Sequence, residues 1–209
     1  MIIKDVYKNG FIIFLLSELI FFFSFFWVLF DELIVININF LDNWIPYGIN
    51  FPYPFFIPFL NTIILLLRGI FINIFLFKFL LSKKNLINFI LVLFLGFIFI
   101  FIQILEYYLL NYIFSDSIFR RNFFLLTGFH GFHVFLGFFF LIFCFFSIYN
   151  LLINKENLNF NFSILYWHFV DLIWIFVFLF IYYFNYLEYI LLKILFCLIK
   201  ENFLILFIL

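Results

Sequence analysis

The chain has 209 residues, of which 69% are hydrophobic and only 11% are charged, and its formal net charge is zero. Soluble domains keep about a quarter of their residues charged, so this composition excludes a soluble globular fold and indicates a surface that mostly faces lipid. The zero net charge gives nucleic-acid binding no electrostatic basis.

Several apolar segments are long enough to cross a bilayer, which takes about 20 helical residues. In chain order they cover about 10–30, 56–79, 87–112, 123–149 and 162–185. The sequence therefore predicts an all-α polytopic membrane protein, with a five-helix transmembrane bundle over residues 1–185. Residues 186–209 are predicted to be an apolar C-terminal extension, in which Lys193 and Lys200 share one face of a spanning or an interfacial sixth helix.

The segments between the helices indicate how the bundle is oriented. The loops on the N-terminal side carry Lys4, Lys8, Lys78, Lys83, Lys84 and Lys155 against Asp5 and Glu156, whereas the other side carries Asp31, Glu32, Asp42, Asp116 and Glu188 against Arg120 and Arg121. This basic excess predicts that the N-terminus faces the matrix or cytoplasm. Prolines in the first loop predict that this loop is extended.

Cys144 and Cys197 both lie in apolar segments. We therefore expect them to be small buried hydrophobic residues and not part of a disulfide or a metal site.

Polar residues at membrane depth are candidate functional residues, because charge inside a bilayer is expensive. They are Glu18, Arg68, Glu106, His130, His133, His168 and Asp171. The alternative is that they only join helices, each contact contributing about 0.6 kcal/mol. Helical rise places Glu18, Arg68, His168 and Asp171 about 9–16 Å from the N-terminal side, and the other three about 22–27 Å from it. We therefore predict two polar layers, with Arg68 paired to Glu18 or Asp171.

The segment LLTGFHGFHVFLG (125–137) contains two histidines three residues apart. At 100° per residue, His130, His133 and Gly137 share one arc of the helix, and Thr127, Gly128 and Gly131 adjoin it. We expect phenylalanines such as Phe129 and Phe132 to form the opposite, lipid-facing side. His168, the remaining histidine, is predicted to lie about 13 Å away or more. The pattern favours helix packing and hydrogen bonding over haem or metal ligation.

Five motifs resemble, in order and at family spacing, subunit III of the haem–copper cytochrome c oxidases. They are SELIFFFSFFW (17–27), NWIPYGI followed by FLNTIILLLRG (43–69), LEYY (105–108), TGFHGFHVFLG (127–137) and YWHFVDLIWIFVFLFIYY (166–183). The fourth and fifth are the most specific. The fifth contains Trp167 and Trp174, which we expect to pack between helices.

The resemblance implies a non-catalytic core subunit of complex IV, which transfers electrons from cytochrome c to oxygen and pumps protons. Such a subunit binds no haem or copper itself, packs on subunit I beside the other complex IV subunits, binds phospholipid, and supports proton uptake and oxygen access. A mitochondrial inner membrane is the expected location. The absence of alanine and the abundance of Phe, Ile, Leu and Asn are also typical of an AT-rich organellar genome.

The chain departs from the family pattern in its helices and at one charged position. Family members usually have seven helices, and this chain resembles them from the third onwards. Either the first pair is absent or a separate polypeptide supplies it. Arg68 stands where the family has a small residue, and the C-terminal extension is an addition.

Two other functions compete with this one. A proton-translocating carrier would use Glu18, Arg68 and Asp171 as a relay, but the predicted layers leave a gap at mid-depth. A haem-binding redox subunit would use His130 or His133, which the small number of ligands disfavours.

Overall fold

The computed structural model describes residues 2–34, 53–81, 86–110, 118–149, 158–184, 186–187 and 190. The α-helices are α1 (Ile2–Ile34), α2 (Ile57–Leu80), α3 (Leu86–Leu109), α4 (Ile118–Tyr149) and α5 (Leu158–Val177), and a π-helical segment, Phe178–Phe184, continues α5. The predicted sixth helix apart from residue 190, the first loop up to residue 52, and Cys197 lie outside the described residues.

Five of these helices are long and apolar enough to cross a membrane. The candidate spans are Asp5–Asp31, Ile57–Phe79, Leu86–Leu109, Arg120–Ile148 and Phe160–Phe184. The prediction of an all-α polytopic membrane protein with five transmembrane helices is confirmed.

The helices pack as two close pairs, α2 with α3 and α4 with α5, and α1 lies against α4 and α5. Large aromatic side chains fill the interior. Those that are almost completely buried are Phe22, Phe75, Phe89, Phe99, Phe123, Phe160, Tyr166, Trp167, Trp174 and Tyr182. Because α5 contacts α1, α2 and α4, its inward face is the centre of the bundle.

Three helices, α1, α4 and α5, begin several residues earlier than their apolar segments predict. α1 begins at Ile2 rather than near residue 10, and its exposed polar residues Lys8 and Asn9 are helical. Charged turns can extend a spanning helix into the interface, so an apolar run underestimates its length. Glu18 is 16 residues from Ile2, and His133 is 16 residues from Tyr149, so both lie about 24 Å from the N-terminal side.

The π-helical segment continues the inward face of α5 after Val177. Ile181 and Tyr182 are adjacent in sequence and both buried, as Tyr166 and Trp167 are in α5. A π-helix has a wider turn and is often found at functional sites. The segment carries Tyr182, which is buried inside the bundle.

Candidate functional site

Arg68 on α2 and Asp171 on α5 form an ion pair inside the bundle. Nη2 of Arg68 donates a hydrogen bond to Oδ1 of Asp171. Arg68 is 0% exposed and Asp171 is 7% exposed. The prediction that Arg68 pairs with Glu18 or Asp171 is confirmed for Asp171, and the reason is that an unpaired charge at this depth would be expensive.

Two aromatic rings lie against the Arg68 guanidinium. Its Cζ lies 4.0 Å from the centroid of the Trp167 ring and 5.7 Å from that of Phe99. Cations are attracted to the faces of aromatic rings, most strongly to that of Trp. Trp167 therefore stabilises the charge as well as filling the core, in keeping with its expected place between helices.

His133 connects α4 with α1 and α5. Its Nε2 lies 3.4 Å from Oε2 of Glu18, and its Nδ1 lies 3.0 Å from the hydroxyl of Tyr166. A neutral imidazole with its hydrogen on Nε2 fits both contacts, because Nδ1 then accepts a hydrogen bond from Tyr166. The placement of Glu18 and His133 in separate layers is wrong, because the longer α1 raises Glu18 to the height of His133.

His130 packs mainly through its ring. The ring is 1% exposed and its centroid lies 5.1 Å from that of Trp174 and 6.2 Å from that of Phe99. Among the described residues neither ring nitrogen has a hydrogen-bond partner. His168, on α5 one turn before Asp171, is half-buried. Of the three histidines, His133 is the one with defined side-chain bonds between helices.

The bond between Tyr166 and His133 gives a first prediction. Changing Tyr166→Phe removes one hydroxyl and is expected to lower the stability of the bundle by about 0.5–1.5 kcal/mol, read as a lower midpoint of thermal unfolding of the purified membrane complex. Tyr108→Phe is the matched control, because Tyr108 is 87% exposed. An equal shift in both variants would contradict a specific role for the Tyr166 hydroxyl.

A second group of polar side chains lies where α3 ends and α4 begins, which we call the α3–α4 end. Nδ2 of Asn61 donates to Oε1 of Gln103 at 3.4 Å. The Tyr107 hydroxyl donates to Oγ1 of Thr127 at 2.6 Å. Sequence reasoning found Glu106 and Thr127 but missed Asn61, Gln103 and Tyr107. The position of Gln103, three residues before Glu106 on the same helical face, was the available signal.

The glycines of α4 differ in how closely other side chains approach them. A Cβ added at Gly137 would lie 2.5 Å from Cε3 of Trp167, whereas at Gly128 the nearest atom is 3.9 Å away. At Gly131 no atom of another described helix lies within 4 Å of such a Cβ, so α4 is not closely packed at that glycine among the described residues. Gly137 is therefore the glycine that lets α5 pack against α4.

One expected lipid-facing residue of α4 is covered by α1. The ring of Phe129 lies 5.3 Å from that of Phe21 and 5.2 Å from that of Phe25. Phe132, Phe139 and Phe143 are exposed as predicted. The expectation for Phe129 is wrong because α1 packs against this side of α4, which a helical projection of one helix cannot reveal.

Within the described ranges, no group of three or more His, Cys, Asp or Glu residues could hold a metal ion. Cys144 is a buried free cysteine, and its Sγ lies 3.3 Å from Oγ of Ser163.

Comparison with known proteins places these residues in a family. A family model described as cytochrome c oxidase subunit III matches residues 1–186. The chain belongs to the cytochrome c oxidase subunit III family. Cytochrome c oxidase subunit 3 of Rhipicephalus sanguineus is 40% identical over 181 residues, which cover 84% of this chain and 69% of that protein. The subunit 3 of Arabidopsis thaliana is 41% identical over 178 residues, covering 84% and 67%.

A third cytochrome c oxidase subunit 3, from Chondrus crispus, is 36% identical over 184 residues, covering 87% of this chain and 68% of its own length. The resemblance found in the five motifs is confirmed. As a member of the cytochrome c oxidase subunit III family, the chain is a multi-pass membrane protein with a subunit III role in complex IV, and it associates with other subunits of that complex. Nothing in these findings supports an independent proton carrier.

Proposed function

We propose that the chain is a non-catalytic core subunit of complex IV that stabilises subunit I and supports proton uptake and oxygen access. The family match over residues 1–186 carries this proposal. The internal contacts agree with it, because Arg68 is neutralised by Asp171 and His133 joins three helices. These groups act in this proposal as interhelical bonds that hold a rigid bundle beside the redox centres, and haem and copper belong to partner subunits.

The exposed side of α1 is the proposed contact surface for other polypeptides. α1 packs only against one side of the bundle, and Ile13, Ile20 and Trp27 on its other side are more than 60% exposed. Large exposed apolar surfaces in a membrane protein face lipid or another helix. We assign this side to subunit I or to a separate chain that carries the family's first two helices, with phospholipid filling the remaining gaps.

The proposed location is the mitochondrial inner membrane, with the N-terminus in the matrix. The basic residues on the N-terminal side support this orientation. Among the described residues, Lys8 is an exposed residue of the first turns of α1, and Lys78 lies in the last turn of α2. Both helix ends carry positive charge, and both lie beside the start of α5, where Phe11 packs on Phe162 and Phe79 packs on Phe160.

Affinity purification of the tagged chain from its own membranes tests the proposal. We expect co-purification of a subunit that carries haem and copper, together with cytochrome c oxidation. Oxidase depleted of the chain is expected to take up protons more slowly and to lose activity faster during turnover. A stoichiometric Soret band in the isolated chain, or recovery of the chain without any haem–copper subunit, would overturn the proposal.

A further inference from the structure

Five buried polar atoms without hydrogen-bond partners lie at the α3–α4 end. They are Oδ1 of Asn61, Nε2 of Gln103, Oε1 and Oε2 of Glu106, and the hydroxyl of Tyr182, none of which has a hydrogen-bond partner among the described residues. Glu106 is 3% exposed, Gln103 6%, and Asn61 and Tyr182 0%. Buried groups of this kind cost about 1–3 kcal/mol each when left unsatisfied, so these atoms call for a ligand.

The four side chains come from three elements and are linked to one another through Gln103. Asn61 on α2 is bonded to Gln103 on α3. Tyr182, in the π-helical segment, is close enough to interact with both Glu106 and Gln103. Glu106 is on the same face of α3 as Gln103, one turn further on. The unpartnered atoms therefore lie in one buried region between α2, α3 and the π-helical segment.

The chemistry of these atoms does not depend on how the two amides are oriented. If both amides were turned over, Gln103 would donate to Asn61, and one amide oxygen and one amide NH₂ would still be left without a partner. The site thus always presents acceptors, namely an amide oxygen and a carboxylate, together with donors, namely an NH₂ and a phenol. A ligand that fits must both donate and accept hydrogen bonds.

We propose that this site binds ordered internal water, which links the Glu106 carboxyl group to Asn61, Gln103 and Tyr182. Water both donates and accepts, and a buried water usually makes about three hydrogen bonds to buried polar groups. A metal cation would satisfy the oxygens but would be repelled by the NH₂ and phenol hydrogens. Glu106 lies three residues before the end of α3 at Leu109, so the site is near enough to one end of the bundle to exchange with bulk water.

A density map of the intact membrane complex, at a resolution that resolves water, tests the proposal without any variant. We expect at least one peak within hydrogen-bond distance of Glu106 and of Asn61 or Gln103. No bridging peak is expected between Tyr107 and Thr127, which bond directly at 2.6 Å and serve as an internal control. A map in which Tyr182, Gln103 and Asn61 bond directly to Glu106, with no peak between them, would overturn the proposal.

Variants separate water from other occupants. Glu106→Gln keeps two polar groups and is expected to retain the peak, whereas Glu106→Leu is expected to lose it. Tyr182→Phe keeps the aromatic ring and is expected to shift or weaken the peak. This variant provides the test if the Glu106→Leu protein does not assemble into the complex. A peak with short metal–oxygen distances that appears only with added sodium or potassium would show that the site binds a cation, and would overturn the proposal. The map can be taken from whichever complex contains the chain, so the result does not depend on the proposed function.

Discussion

Changing Asp171→Asn is expected to be among the most damaging single substitutions in the bundle, lowering its stability by about 3–5 kcal/mol. The reason is that Arg68 is 0% exposed and would keep its positive charge without a counterion. Its remaining contacts, the faces of Trp167 and Phe99, stabilise a cation but do not neutralise it. The effect is measured as the thermal unfolding midpoint of the purified complex and as the amount of chain that accumulates in membranes.

A double substitution distinguishes loss of pairing from loss of volume. Arg68→Met combined with Asp171→Leu removes both charges and keeps apolar bulk. Replacement of a buried ion pair by apolar residues of similar volume is often neutral or stabilising, so the double variant is expected to be more stable than either single variant. Additive losses in the double variant would show that the two side chains do not depend on each other.

An exposed charge serves as the matched control for this pair. Arg121 lies near the start of α4 and is exposed, so Arg121→Met is expected to change stability by no more than about 0.5 kcal/mol. If Arg121→Met were as damaging as Asp171→Asn, a general effect of charge on membrane insertion would explain both results better than the buried pair.

The partner of Arg68 could be predicted from the sequence because the free-energy cost of an unpaired charge inside a membrane restricted the possible partners to acidic residues. An arginine in the middle of an apolar segment must find an acid, and the apolar segments predicted only Glu18 and Asp171 near it in depth. The height of Glu18 could not be predicted in the same way. The error came from taking the apolar run as the whole of α1, although the helix begins at Ile2 and includes the charged first turns.

Tyrosines are the part of the site that sequence reasoning missed most clearly. Tyr166 bonds to His133, and Tyr182 faces Glu106, but in a chain with 12 tyrosines and 45 phenylalanines neither stands out as polar. The Tyr182 ring lies 6.2 Å from that of Trp174 between centroids, and the fold, not its residue type, gives its hydroxyl a polar neighbour. Tertiary packing, more than local pattern, selects which aromatic hydroxyls face inward.

Changing Gly137→Ala is expected to destabilise the bundle, although alanine is the better helix former. An added Cβ would lie 2.5 and 2.6 Å from two atoms of the Trp167 ring and 3.3 Å from Cε1 of Tyr166. Trp167 has little room to retreat, because its other contact is the buried Arg68 guanidinium at 4.0 Å. Overpacking of this kind typically costs about 1–3 kcal/mol, more than the gain of about 1 kcal/mol in helix propensity.

Gly131→Ala on the same helix is the matched control, since no atom of another described helix lies within 4 Å of a Cβ there. Only the propensity gain of about 0.5–1 kcal/mol applies at that position, so the two substitutions are expected to shift the thermal unfolding midpoint in opposite directions. A stabilising Gly137→Ala would contradict the close packing of α4 on α5. A destabilising Gly131→Ala would instead show that a partner helix covers Gly131 in the assembled complex, because the isolated bundle leaves that face open.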